Sequence, residues 1–293
     1  MPLRVNQVEG RRGIARFVNA LWQVRELNAG AIEEKSWVPP LRVTVTDILS
    51  PKNPFYQNAN RALFVAERGG LTVGRIAAIE NAAHNRYHRD RVGFFGFLET
   101  VNDPEVAHSL LDTAEGWLRS RSLNRSRGPI SPSMNHECGL LIEGSETPPA
   151  IMTPWNPIYY KKLVESSGYK GIQDLLGYDI TSGANLAVPH RIQRLAERTA
   201  RTTGVTFRNL NIGFLEHEAR KVLDLYCQAW SGNWGFTPPS WNEFWHIAKD
   251  LKSVLLRDFS FVAEVRDEVV GFMMVVRDIN RILTHVPSGR LWP

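Results

Sequence analysis

Apolar positions recur along the chain with two periods. In "GIARFVNALWQVREL", Ile14, Phe17, Val18, Leu21 and Trp22 fall three or four apart, which predicts a helix with one apolar face. "PEVAHSLLDTAEGWLRSRS" repeats the pattern with Val106, Leu110, Ala114 and Trp117, and Pro104 suits a first helical position. "LEHEARKVLDLYCQAW" does so again with Ala219, Val222, Leu223, Tyr226 and Ala229. Shorter runs rich in β-branched and aromatic residues read as strands: "LRVNQV", "RALFVAER", "LTVGRIAAI", "RVGFFGFLET" and "VTFRNLN". "RSRGPI" is expected as a short strand, "NPIYYKKLVESSG" as a helix ended by Gly168, and "IQDLLGYDI", ending at Ile180, as a last strand. "NAAHNRYHRDR" reads as a polar loop.

One pattern occurs twice. Phe-Val-Ala-Glu stands at 64–67 and again at 261–264. Gly74 and Gly271 each follow seven residues after the glutamate, behind a valine and before an apolar run. A strand and an amphipathic helix precede each copy, so the chain is expected to carry an internal duplication. Copy one reads β-α-α-β-β-β-α-β-α-β. Copy two stops 22 residues after Gly271, before the later elements, and is expected to be truncated at its C-terminus. The expected organisation is a first domain over 1–182, a linker with a basic helix over 183–204 and the first half of a second domain over 205–293. A strand edge left open at 260–276 is expected to pair with another copy of the chain.

A length of 293 residues suits two domains. No run of 18 apolar residues occurs, so no transmembrane segment is expected. The start "MPLRVNQVEGRRG" lacks an apolar h-region, and Cys138 and Cys227 make no disulfide framework. A cytoplasmic location follows as the expectation, with room for peripheral contact at the inner face of a membrane. The net charge of +5 favours anionic partners without choosing one. Spread-out basic residues and the absence of an RNA-binding sheet motif argue against nucleic acid.

Several stretches carry a resemblance: "WVPPL" at 37–41, "NPF" at 53–55, "VGRIAA" with "HN" at 73–85, "GFFGFLE" at 93–99, "GP…S.N.ECGLL..G" at 128–144 and "NP.YY" at 156–160. "DIN" and "GRLWP" continue it to the end. Together with the element order they resemble the GCN5-related N-acetyltransferase (GNAT) superfamily, and within it the YghO-like family that includes the bacterial ceramide synthases. The resemblance implies tandem GNAT-like α/β domains with a mixed central sheet. It implies acyl-CoA as co-substrate, with no permanently bound cofactor, and an amine acceptor; the ceramide-forming members acylate a sphingoid-type base. An acyl-CoA-dependent N-acyltransferase is therefore expected. The alternatives are a non-catalytic binding or scaffold protein and an aminoacyl-transfer enzyme with a tRNA donor.

Thioester donors of this kind need backbone N–H groups for a pyrophosphate. The corresponding join in copy one, Val101 to Val106, has no glycine, while Asp103 and Glu105 repel phosphate and Pro104 lacks an N–H. No donor-binding residue is assigned from the sequence. Glu137, in "SMNHECGLL", is the first candidate proton acceptor and Glu99, at the end of "GFFGFLE", the second. The superfamily's leaving-group tyrosine, seven residues after Asn156, is Leu163 here, so Tyr160 takes its place as a catalytic candidate. Asn135, Asn156, Tyr159, Trp234 and Trp241 are candidate substrate-binding residues. Trp241, Phe244, Trp245 and Ala248 form a helical stripe, read either as core or as the apolar mouth of an acyl or amine site. His84, His88 and His136 lack a carboxylate that completes a zinc pattern, and no metal is expected.

Overall fold

The computed structural model describes residues 1–28, 36–178 and 190–291. Two compact units form, one from 1–172 with 278–293, the other from 173–277.

In the first unit the order is β1 (Leu3–Val8), α1 (Gly10–Leu27), α2 (Arg42–Ile48), β2 (Ala59–Arg68), β3 (Leu71–Asn81), α3 (Ala82–His88), β4 (Val92–Thr100), α4 (Pro104–Ser120), β5 (Arg125–Arg127), β6 (Ile130–Ser131), β7 (Glu137–Cys138) and α5 (Tyr159–Ser166). The sheet runs β1-β2-β3-β4-β5, antiparallel until the parallel pair β4–β5. Both faces are covered, which explains why β2 is an unbroken apolar run rather than an alternation. Leu63 and Val65 pack with Phe17 and Val18 of α1. Ala62, Phe64 and Ala66 pack with Val106, Leu110 and Ala114 of α4. Each large side chain buried this way contributes about 1.5–3 kcal/mol.

The second unit holds α6 (His190–Thr203), β8 (Thr206–Asn209), α7 (Leu215–Trp230), α8 (Trp241–Leu251), β9 (Phe261–Val265) and β10 (Glu268–Met273). Its sheet runs β10-β9-β8. The duplication extends to register. Ala66 faces Gly74 and Glu67 faces Thr72, leaving Val73 as the extra residue of a bulge. Ala263 faces Gly271 and Glu264 faces Val269, leaving Val270 in the same position. A shared bulge fixes the face of every following residue, so the fold is written twice and the second sheet has three of the strands.

Two local expectations are corrected. Residues 82–88 form α3 rather than a loop: Asn81 caps it by accepting from the His84 N–H at 3.0 Å, and Arg89 closes it in the left-handed region. The polar spelling hid a cap and a buried face at His84. Residues 172–178 form no strand, and 179–180, the rest of that expected strand, lie outside the described residues, as does the linker segment 181–189. Ile172, Leu175, Leu176 and Tyr178 are exposed, and the sheet of the first unit ends at β5 without a further ladder to satisfy a new strand.

The final segment packs with the first unit through α9 (Asn280–Leu283) and the turn beyond it. The Asn280 amide donates to the Pro149 carbonyl at 2.7 Å and the Trp22 indole to the Pro287 carbonyl at 2.8 Å. Gly289 is left-handed, and a Cβ there would lie 2.4 Å from the Trp22 ring.

Strand β4 carries the feature that builds the site. Arg75 faces Glu99 and Ala77 faces Gly96, so Phe97 and Leu98 bulge opposite Ile76, with Phe97 at φ 50°. The bulge ends the pairing with β5, which covers only Val92–Phe94. Into the gap comes β6, so close that a Cβ on Gly96 would lie 1.9 Å from the Ile130 carbonyl oxygen. Backbone cannot yield as a side-chain tip does. Gly96→Ala is therefore expected to cost about 3 kcal/mol or more, measured as a lower midpoint in urea with an unchanged slope.

Candidate active site

Three of the residues singled out by sequence come together past the β4 bulge. Glu99 is the centre. Its carboxylate accepts from the Arg25 guanidinium at 2.7 Å and from the Tyr160 hydroxyl at 3.0 Å, and Arg75 lies 3.9 Å away. The side chains of Glu99 and Arg25 are only 13% and 5% exposed, so this ion pair is removed from water and costly to break. Arg25 is held in turn by two tryptophans, with its guanidinium 5.3 Å from the ring centre of Trp37 and 5.0 Å from that of Trp155. Arg75 donates to the Phe17 carbonyl at 3.0 Å, and burial pushes its pKa down to about 10, opposed by the charge of Glu99.

The two tyrosines of α5 close the edge that β5 leaves open. The Tyr159 hydroxyl donates to the Thr100 carbonyl at 2.9 Å, and the Tyr160 hydroxyl accepts from the Thr100 N–H at 2.8 Å. They stand where a neighbouring strand would otherwise pair. Burial first, and then the Glu99 charge, holds the Tyr160 phenol well above its usual pKa, so it stays a neutral donor to Glu99.

Glu137 sits on the small hairpin β6–β7, opposite Ser131. The Ser131 hydroxyl accepts from the Phe97 N–H at 2.8 Å, which ties the hairpin to the bulge. The residue as a whole is exposed, while protein atoms crowd its carboxyl and take water from it. Both descriptions hold for a group in a recess reached from outside. Loss of water, then repulsion from Glu99, raises its pKa to about 7, with Arg75 opposing. A carboxyl poised there exchanges a proton near neutrality, which is what a general base requires. The neighbouring Cys138 thiol is pushed up by burial and by Glu137, the opposite of what a nucleophilic thiolate needs.

The other candidates are placed differently. The Asn156 amide is spent on main chain: it accepts from the Leu141 N–H at 2.8 Å and donates to the Leu141 and Pro157 carbonyls at 3.1 and 3.0 Å. The Asn135 N–H donates to the Ser133 hydroxyl at 3.2 Å in the turn before Glu137. Trp234 and Trp241 belong to the second unit. The stripe on α8 is half-buried, and Trp241 stacks on Trp245 with ring centres 5.6 Å apart. His84 and His88 place their rings 4.3 Å apart on α3, and burial lowers His84 to about 4. His136 bonds the Ser133 hydroxyl at 2.9 Å instead.

The start of α4 does not fit a pyrophosphate. The Asp103 carboxylate accepts from the Glu105 N–H at 2.8 Å, and Arg68 pairs with Asp103 and Glu105 at 2.6 Å each. The chain's own carboxylates and Arg68 thus occupy the charge and amides that a phosphate would use.

No family model matches the chain. It is 34% identical over 263 residues to the bacterial ceramide synthase of Caulobacter vibrioides, covering 89% of this chain and 67% of that protein. It is 32% identical over 263 residues to protein YghO of Escherichia coli, covering 89% and 66%. The chain thus spans about two thirds of the length of these relatives. Among solved structures, a tandem GNAT protein from the clavulanic acid biosynthesis pathway aligns over 99% of this chain and 88% of its own, at 12% identity and a TM-score of 0.46. An aminoglycoside acetyltransferase from an uncultured soil metagenomic sample, in complex with sisomicin, aligns over 62% and 97%, at 11% identity and a TM-score of 0.37.

The raised pKa of Glu137 has a consequence for stability. Between its ordinary value of 4.5 and about 7 the folded state binds more protons than the unfolded state. Stability therefore falls as pH rises through that window. Glu137→Gln should remove the fall: thermal melts should match the wild type at pH 4 and lie above it at pH 8. Equal melts at pH 8 would show that the carboxyl titrates normally.

Proposed function

The chain belongs to the YghO-like family that includes the bacterial ceramide synthase, and we propose that it is an N-acyltransferase with Glu137 as proton acceptor. The reaction joins an amine to the acyl group of an acyl-CoA, the co-substrate of this reading. The amine nitrogen forms a bond to the thioester carbonyl carbon, the carbon–sulfur bond breaks, and CoA thiolate leaves with the electron pair. The proton lost by nitrogen passes to the Glu137 carboxylate. Glu99 does not need to touch substrate. Held by Arg25 and Tyr160, it supplies the negative charge that makes Glu137 a stronger base.

The single observation that carries this reading is a carboxyl brought near pH 7 beside a second, fully engaged carboxylate. The acceptor is a long-chain amine of the sphingoid type. The name of the Caulobacter relative supports this, and so do the tryptophans Trp37 and Trp155 that flank Arg25. The donor's phosphates bind elsewhere than at the start of α4, where Asp103 and Glu105 stand. No helix among the described residues is long and apolar enough to cross a membrane, and the proposed location is the cytoplasm with peripheral access to lipid. Self-association belongs to the same reading, because β10 ends its sheet with Val270 and Met273 exposed.

Release of free CoA thiol in the presence of a long-chain acyl-CoA and a sphingoid amine tests the proposal. Glu137→Gln is expected to lower kcat by about 10²–10⁴ while KM stays close to the wild-type value, since a proton acceptor acts mainly in the transition state. An unchanged kcat would leave Glu137 with a structural role in its hairpin.

A further inference from the structure

The second unit contains a cavity of about 660 Å³ between the start of α7 and the C-terminal half of α8. Part of its wall is apolar, formed by Ile212, Phe214 and Trp245. Phe214 is 69% exposed, so its ring is open to a ligand. The flat face of Trp245 is fixed by its stack on Trp241, at 5.6 Å and nearly parallel. The charged part of the lining is Glu216, Arg220, Lys249 and Lys252. The cavity's carboxylate, Glu216, pairs with Arg220 at 2.8 Å, and Arg220 also lies across Trp241 at 3.9 Å. With Glu216 neutralised in this way, the two lysines remain as excess positive charge beside exposed apolar surface.

Such a lining discriminates by chemistry. An apolar ligand alone would leave two ammonium groups facing it, and a bare anion would leave Phe214 and Trp245 in water. A ligand with an anionic head and an apolar or flat body satisfies both. We propose that this cavity binds a phosphate ester carrying an apolar or flat group. The phosphate sits between Lys249 and Lys252, and the body lies against Phe214 and Trp245. Two sources share this chemistry: the headgroup of an anionic phospholipid at a bilayer surface, and the nucleotide end of a soluble phosphate ester. Binding here needs neither Glu137 nor Glu99, so the lipid source is independent of acyl transfer, whereas the soluble source makes the cavity a subsite for the nucleotide end of the proposed donor.

The test uses the full chain and the double variant Lys249→Glu/Lys252→Glu. Both positions are exposed, and matching thermal melts verify the fold. A second variant, Lys249→Gln/Lys252→Gln, removes the charges without reversing them. Co-sedimentation with phosphatidylglycerol vesicles reads the lipid source, with phosphatidylcholine vesicles as the uncharged control. Calorimetry with CoA reads the soluble source. The wild type should bind one of the two phosphate probes, and the double variants should bind that probe at least about tenfold more weakly. Loss confined to vesicles assigns the cavity to a bilayer surface, and loss confined to CoA assigns it to a soluble ester. The proposal fails if the wild type binds neither probe, or if both double variants bind as tightly as the wild type.

Discussion

The first unit is arranged around one carboxylate held mostly out of water. Glu99 is taken out of water at the point where β4 bulges away from β5, and an ionised group there needs partners from every side. Arg25 reaches it from α1, Arg75 from the facing position on β3, and Tyr160 from α5. Each partner is itself fixed: Arg25 between two tryptophans, Arg75 on the Phe17 carbonyl, Tyr160 on the Thr100 N–H. The helices on both faces of the sheet are thereby tied to one strand end. Glu137 is then brought near by the β6–β7 hairpin, and the charge of Glu99 helps to set its pKa.

Duplication explains how the frame arose and where the copies diverged. Val73 and Val270 occupy the same bulge, so β2–β3 and β9–β10 share a register as well as a motif. The glutamates of the repeated Phe-Val-Ala-Glu are put to related uses. Glu67 pairs with Arg16 of α1, whereas Glu264 pairs with Arg208 of β8, which also grips Glu218 of α7 at 2.6 Å. In both copies the glutamate links the second strand to the first helix, directly in one and through an arginine in the other. The start of α4 has no counterpart among the described elements of the second unit. There, Asp103, Glu105 and Arg68 satisfy one another, which makes a well-capped helix and a poor phosphate site.

Much of this was legible in the chain because it is local. Periodicity places α1, α4 and α7, and the repeated glycine marks the bulge. Glu99, Glu137 and Tyr160 stand out as polar groups in apolar stretches; Glu99 bonds Tyr160 and its charge reaches Glu137. What stayed hidden is long-range. Arg25 lies 74 residues from Glu99, and nothing in "QVREL" separates a buried arginine from a solvated one. Trp155 lies 130 residues from Arg25, the charge that it flanks together with Trp37. Residues 172–178 of the strand expected at 172–180 form none for a related reason, since apolar spelling makes a strand only where a sheet offers an edge. Helix α3 was missed because its cap, Asn81, ends an apolar strand rather than opening an apolar helix.

The central claim is that the Glu99 carboxylate and loss of water together bring Glu137 near neutrality. Carbon-13 NMR of protein labelled at glutamate carboxyls reads this directly. One resonance, identified by its disappearance in Glu137→Gln, should titrate near pH 7. In Glu99→Gln the same resonance should titrate at lower pH, yet above 4.5, because loss of water is the larger cause and persists. A Glu137 resonance that titrates near 4.5 in the wild type, or that ignores the loss of Glu99, would contradict the account.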